Sequence, residues 1–374
     1  MTTLGDATNW LVQLCGTLLL LRILTSILQG IDIDLGQWIN LKRKRRLLSK
    51  TRIDSLPPEC MEIILGHLRY TDLMQCRKVS HQWHELVDCH TLWAHADFRQ
   101  VRTSERDFDT RKLPYKLYMK YTKNISPKFN NLTFDVTSAV PEILRYDNAE
   151  VLADFLSHQA AQEIRKVKLT WASSWEDIDS VDFQCAWVLS LTALMTLSIR
   201  CPCIQNLSMQ FNWTTESINS LLALKQLKEL ELVCMPTVQG IQKWHINKIL
   251  EGLPLLRIFR LIAKLLPQHA ILQKFTLYSD YLEELDLSGC VNFTISDLHL
   301  PELLHLKGRD LNNHCKKDNC VFPVILQGCP KLKMINYTPI NIKEKDLGLS
   351  KAQQMALRVC RCELHDQRRI TNKT

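Results

Sequence analysis

Glycine is scarce in this chain, with 11 among 374 residues. No Gly-rich phosphate loop, G-x-S-x-G elbow or His-Glu-x-x-His is present. Nothing in the sequence therefore asks for a nucleotide, a nucleophilic serine or a catalytic zinc, and neither catalytic nor cofactor-binding residues are expected. A dense cysteine framework is also missing. The 14 cysteines are spread thinly, as reduced and mostly buried thiols of a cytosolic or nuclear protein would be. Cys360-x-Cys362 with His365, and His314, Cys315 and Cys320, match none of the common zinc spacings, so no metal is expected. Charge of one sign is concentrated only in Lys42-Arg43-Lys44-Arg45-Arg46, which supplies five of the formal +8. The remaining +3 is too mild for a nucleic-acid surface.

An uninterrupted apolar run of spanning length is lacking too. Trp10 to Leu28, WLVQLCGTLLLLRILTSIL, is broken by Gln13 and Arg22. A spanning helix needs about 20 mainly apolar residues, and a central Arg costs at least about 2.5 kcal/mol. Three readings of this segment stay open: a core or partner-binding helix, a membrane anchor, or a translated artefact. As an anchor, it would leave everything after Lys42 on the cytosolic face. The basic run that follows reads equally as an import signal, an anionic-lipid patch or a solvated linker.

What is present begins at Leu56: LPPECMEIILGHLRYTDLMQCRKVSHQWHELVDCHTLW, to Trp93. Pro57 and Pro58 suit the opening of a helix, and Glu59 favours the positive end of its dipole. Met61, Ile64, Leu65 and Leu68 recur at helical spacing. Thr71 is the expected cap of a second helix, with Asp72 in its first turn. Leu73, Cys76, Val79, Trp83 and Leu86 then step by three or four, and Leu92 and Trp93 close the unit. About forty residues bury too little surface for comfortable independence, so part of this apolar face is expected to meet another chain.

The identities go beyond periodicity. Leu56-Pro57, Glu59, Ile64-Leu65, Leu68, Asp72-Leu73, Val79, Trp83 and Leu92-Trp93 stand where an F-box has them, and the segment resembles that family along its whole length. Cys60 replaces a frequent Leu, and Ser80 a frequent Cys. The resemblance implies a three-helix handle without chemistry that docks on a Skp-type adaptor and, through it, on a cullin and a RING subunit. By the same resemblance, Leu56, Pro57, Glu59, Ile64, Leu65, Leu68 and Leu73 contact the adaptor. Val79, Trp83, Leu86, Leu92 and Trp93 form the F-box core.

Repetition is the second organising feature. Blocks of the form L-x-x-L-x-L start at Ile204, Leu227, Leu256, Leu282 and Leu332, with weaker copies at Leu303 and Ile164. From Ile204 onward the starts lie 21 to 29 residues apart, the period of leucine-rich repeats. The gap of 40 between Ile164 and Ile204 implies an insertion or a degenerate unit. Each block predicts a short strand followed by a helix returning along the outside. Leu282 to Cys290 resembles the cysteine-containing repeats found beside F-boxes. Cys201-Pro202 and Cys329-Pro330 fit the exit from a helix into the next strand. A helix over 148–162, capped by Asn148, is expected to shield the open edge of the first repeat. A second helix, opened by the Ser350/Gln353 capping box, is expected to seal the other end.

The fold class expected is α/β: a three-helix F-box followed by an irregular leucine-rich-repeat solenoid of short parallel strands plus helices. The expected divisions are 1–40 (apolar segment), 41–52 (basic linker), 53–99 (F-box), 100–145 (connector), 146–345 (repeats) and 346–374 (polar helix or tail). The expected function is non-catalytic: a substrate-recognition adaptor of an SCF-type ubiquitin ligase, with the repeats binding an unknown protein substrate. The alternative is a membrane-associated or structural scaffold whose F-box binds the adaptor without forming an active ligase. An enzyme using cysteine or zinc is the third reading.

Overall fold

The computed structural model describes residues 56–103, 109–137, 143–171, 180–234, 241, 243–262, 274–288, 290, 294–308, 325, 327–336 and 338–339. The apolar segment 10–28, the basic run and the capping box at Ser350 lie outside the described residues, as do the cysteines and histidines weighed above for zinc. Among the described residues no helix is long and apolar enough to cross a membrane, and no group of three His, Cys, Asp or Glu is placed to hold a metal ion. The chain divides into two compact units: Met1–Leu92 with Thr110–Leu113, and Trp93–Asp109 with Pro114–Thr374.

Among the described residues, the first unit contains α1 (Pro58–Gly66), α2 (Tyr70–Cys76), α3 (His81–Val87) and the start of a one-turn helix, His90–Trp93. Pro57 is the N-cap of α1 and Pro58 its first helical residue, where a missing N–H costs nothing. Thr71 does not cap α2. The N-cap is Arg69, and the Thr71 hydroxyl donates instead to the Arg111 carbonyl at 3.1 Å. Ser80 caps α3 by accepting from the Trp83 N–H at 3.3 Å. Arg77, which ends α2, donates from Nε and Nη2 to the two oxygens of Asp88, which ends α3, at 2.7 and 3.0 Å. The helix ends are thus clamped by a two-pronged charged bond.

The second unit is built on a ten-stranded sheet. The strands of that sheet, together with the separate pair β7 and β9, are β1 (His95–Asp97), β2 (Asn131–Thr137), β3 (Lys166–Trp171), β4 (Asn206–Phe211), β5 (Glu229–Cys234), β6 (Ile258–Ile262), β7 (Lys274–Tyr278), β8 (Glu284–Asp286), β9 (Thr294–His299), β10 (His305–Lys307), β11 (Met334–Ile335) and β12 (Thr338–Pro339). Sheet order follows chain order, β1-β2-β3-β4-β5-β6-β8-β10-β11-β12. Pairing is parallel from β1 to β11 and antiparallel only at β12. The helices α4 (Tyr115–Ile125), α5 (Ile143–Ser157), α6 (Ser180–Arg200), α7 (Thr215–Leu222) and α8 (Lys243–Gly252) lie between successive strands in the chain, as parallel pairing requires.

One hydrogen-bond arrangement repeats down the sheet. The carbonyl just before each strand accepts two consecutive amides of the next unit. Asn130 O takes Arg165 N and Lys166 N, Gln205 O takes Lys228 N and Glu229 N, and Leu304 O takes Lys333 N and Met334 N, all at 2.7 to 3.1 Å. Seven leucine blocks enter this ladder, and the first residue of each is buried: Ile164, Ile204, Leu227, Leu256, Leu282 and Leu303 at 0 to 1 % exposed, Leu332 at 7 %. Each such side chain contributes about 1.5–3 kcal/mol. Three residues before them, Cys201 and Cys329 occupy the place that Leu224, Leu253 and Leu300 fill in other units, closing a turn onto the leading residue.

Three expectations need correction. The sheet starts with β1, within residues 53–99, and residues 100–145 supply β2 and α4. Consequently β3 is an interior strand, and α5 does not shield its edge. Asn148 lies inside α5, which starts at Ile143, and a 3-10 turn, Gln159–Glu163, follows. Finally, the segments after β6 and β8 return as strands: β7 and β9 pair parallel with each other. Thr294, Ile295, Phe275 and Tyr278 are β-branched or aromatic residues that favour strand over helix.

Candidate functional site

Two surfaces qualify, one on each unit. In the first, the buried side chains are Met61, Leu65, Tyr70, Leu73, Cys76, Trp83 and Val87, all at or below 5 % exposure. Leu65 and Leu73, read as adaptor contacts, are 0 and 2 % exposed. Val79, read as core, is 48 % exposed, because it falls in the turn just before Ser80 caps α3. Trp93, also read as F-box core, belongs to the second unit. Its ring lies 4.6 Å from that of Tyr121 and 6.3 Å from that of Tyr118.

Of the other expected residues, Leu56, Ile64, Leu68, Leu86 and Leu92 are partly exposed, and Pro57 and Glu59 are exposed. Ile63 was missed. It is 66 % exposed on α1, beside the two residues the helical stripe selected. Ile63-Ile64-Leu65 is apolar throughout, and an unbroken triplet does not reveal which member faces out.

The second surface is the face of the sheet opposite its buried leucines. Strand alternation sends Leu207, Leu230, Phe259, Leu285 and Leu306 inward, each 0 to 2 % exposed. It leaves two rows on the other side, polar except at Ile258. The first runs through Lys166, Asn206, Glu229, Ile258, Glu284 and His305, and the second through Lys168, Ser208, Glu231, Arg260, Asp286 and Lys307. Arg260 approaches Glu229 at 3.9 Å and Glu284 at 3.7 Å. Lys307 Nζ lies 2.8 Å from Glu284 and 4.0 Å from Asp286, and Ser208 donates to Glu231 at 2.9 Å.

Burial displaces four of the described thiols. Burial, with Asp72 adding to it, pushes the Cys76 thiol up to about 11. Burial drives Cys201 and Cys329 to about 12 and raises Cys234 as well. Thiols so displaced stay protonated near neutrality and behave as small apolar side chains.

Comparison of the whole chain with curated proteins gave no significant match. The F-box-like family model does match, over residues 53–99. That span holds α1, α2 and α3, together with the first strand of the neighbouring sheet. The chain carries an F-box-like domain at residues 53–99.

Proposed function

We propose that this chain is the substrate-recognition adaptor of an SCF-type cullin-RING ubiquitin ligase. Its F-box-like unit docks on a Skp-type adaptor protein, and its second unit, a leucine-rich-repeat solenoid, holds the protein to be modified. The observation that carries the reading is the family match over the three helices. An F-box-like domain implies a role of this kind. The repeat assignment is supported by sheet order that follows chain order, and by the carbonyl-to-two-amides pattern that recurs unit after unit. No covalent step belongs to the chain. It works by raising the effective concentration of a bound substrate near a charged conjugating enzyme.

Docking residues are those the first unit leaves outside: Leu56, Pro57, Glu59, Ile63, Ile64 and Leu68. Leu65 and Leu73 act indirectly, by setting the helices that present them. The test is co-precipitation of the Skp-type adaptor and cullin by full-length chain carrying Ile63→Asp. Recovery of both should fall by tenfold or more, about 1.4 kcal/mol, while circular dichroism stays unchanged. Undiminished recovery by Ile63→Asp combined with Pro57→Ala would remove the docking surface from the reading. Adaptor recovered without cullin would replace the ligase with a scaffold.

A further inference from the structure

From the helical side of the second unit we infer that this chain rests on an anionic lipid leaflet. The exposed stripe of α6 enters the headgroup layer, and the lysines of α4 hold the lipid charge. The inference goes beyond the adaptor reading and does not rest on it.

Helix α6 carries the apolar part. Val188, Met195 and Ile199 are 50, 45 and 73 % exposed, and their spacing of seven and four residues puts them on one face. Leu194 and Leu197 are fully buried and fix that face outward. The stripe runs about 16 Å along the helix, and no charged residue interrupts the sequence from Val188 to Ile199. The hydroxyls on and beside it are already used. Thr192 donates to the Val188 carbonyl at 2.9 Å, Thr196 to that of Thr192 at 2.8 Å and Ser198 to that of Met195 at 2.8 Å. A hydroxyl bonded back to its own helix asks for nothing from water, so this face leaves no donor unmet on entering an apolar layer. Arg200, exposed, follows Ile199 directly and sets a cation behind an apolar tip.

Helix α4 supplies the charge. Its sequence, YKLYMKYTKNI, holds three lysines and no carboxylate. Lys116, Lys120 and Lys123 lie four and three residues apart on one face and are exposed, while Tyr118 and Tyr121 are buried on the other. Like charges at this spacing repel, and neither Lys120 nor Lys123 has an ion pair among the described residues. Leu117, 42 % exposed, borders the lysine face. Helix α5 packs on α6 and meets α4 where Asp154 accepts from the Tyr115 hydroxyl, so the three helices share one layer. Against the three lysines and Arg200, α5 offers Glu150 and the already engaged Asp154.

The occupant is a leaflet rather than a helix of another protein. A docking helix asks for a groove, whereas Ile199 protrudes. An interfacial site asks for apolar tips among Lys and Arg, and adds apolar burial to attraction for anionic headgroups.

The test is co-sedimentation with vesicles of phosphatidylcholine, alone or with about one third phosphatidylserine. It uses the full chain with Lys42 to Arg46 replaced by Gln throughout, which removes the basic run as a contributor. The phosphatidylserine vesicles should carry down about fivefold more protein or better. Met195→Asp with Ile199→Asp should lower that binding about tenfold. Lys120→Glu with Lys123→Glu should match this loss, as should raising the salt to about 1 M. Ile199→Ser, which adds no charge to α6, should lower binding about threefold and guards against a folding defect. Equal sedimentation with both vesicle types overturns the inference. Full binding by either double variant also overturns it, because residues 10–28 would then hold the membrane. Adaptor recovery should be unchanged in every variant; its loss with the α6 changes would mean that a protein covers the stripe, against the lipid assignment. If the unmodified chain itself recovers no adaptor, the proposed function falls and this inference stands.

Discussion

At the scale of single residues, burial and charge have to be read together, and Asp97 shows how. Its side chain accepts from the Arg99 N–H at 3.1 Å, from Arg99 Nε and Nη2 at 2.8 and 2.7 Å, and from Gln100 Nε2 at 3.2 Å. Burial alone would raise the carboxyl, but the bonds donated by Arg99 and Gln100 outweigh it, and the group is held below the ordinary Asp value. A depressed folded-state value stabilises the fold above the unfolded-state value, and that stability is lost as pH falls through the folded one. Asp97→Asn should therefore cost about 2 kcal/mol at neutral pH. The gap to the unmodified protein should begin to close below about pH 4. Urea unfolding across pH 2.5 to 7 reads both slopes; a gap independent of pH would mean that the charge contributes nothing. The same scale explains what the sequence did and did not disclose about the docking unit. Residue identities from Leu56 to Trp83 were legible because an F-box asks for particular side chains, not merely for periodicity. Facing was less legible. Three consecutive apolar residues, 63 to 65, leave a stripe about 100° wide without an edge, so Leu65 was read as outside and Ile63 was passed over.

At the scale of elements, the strand starts were readable because a leading leucine closes the turn before the strand, and its partners at the third and fifth following positions share the strand's buried face. The returning segments were not, since their burial is decided by neighbours. Helix α8 and strand β7 illustrate this. Asn247 on α8 donates from Nδ2 to the Thr276 carbonyl at 2.8 Å and accepts from the Tyr278 N–H at 3.3 Å. Its side-chain amide thereby serves β7 as one rung of a missing strand. Strand β9 is met closely from the other side by Gly328. A Cβ built there would come within 1.7 Å of the Leu298 carbonyl oxygen, a backbone atom with nowhere to go. At Gly252 the nearest obstacle is instead Leu222 Cδ2, the movable end of a side chain, at 2.4 Å. Gly328→Ala should accordingly destabilise by about 3 kcal/mol. Gly252→Ala should stay within about 1 kcal/mol of neutral, since helix propensity gained there offsets part of the crowding. Denaturant midpoints of the two variants decide the matter; equal losses would show that β9 yields as readily as a leucine methyl.

At the scale of the whole sheet, each unit's amides bond to a carbonyl one unit back, so order is passed from neighbour to neighbour. This long-range regularity was half visible in the sequence. The seven leucine blocks disclosed β3 to β6, β8, β10 and β11, because each spends a leucine on the core. Strands β1 and β2 stayed hidden because Ala96 and Leu132 are buried without a leucine block around them, although Asn130 N bonds to the Ala94 carbonyl at 3.0 Å in the same pattern. Nearest-neighbour stacking predicts graded stability, with opening easiest where one neighbour is missing. Met334 and Lys333, near the β11 end, should exchange their amide protons at least 100-fold faster than Lys228, Glu229 and Arg257 in the centre, about 2.7 kcal/mol. Leu230→Ala, at a fully buried central position, should cost about 2–5 kcal/mol. It should speed exchange on both sides of β5, whereas Ile335→Ala should speed it only locally. Hydrogen exchange read by mass spectrometry separates the alternatives. Uniform protection from β3 to β11, unchanged in its uniformity by either variant, would mean that the sheet opens all at once and that neighbour-to-neighbour ordering is not what holds it.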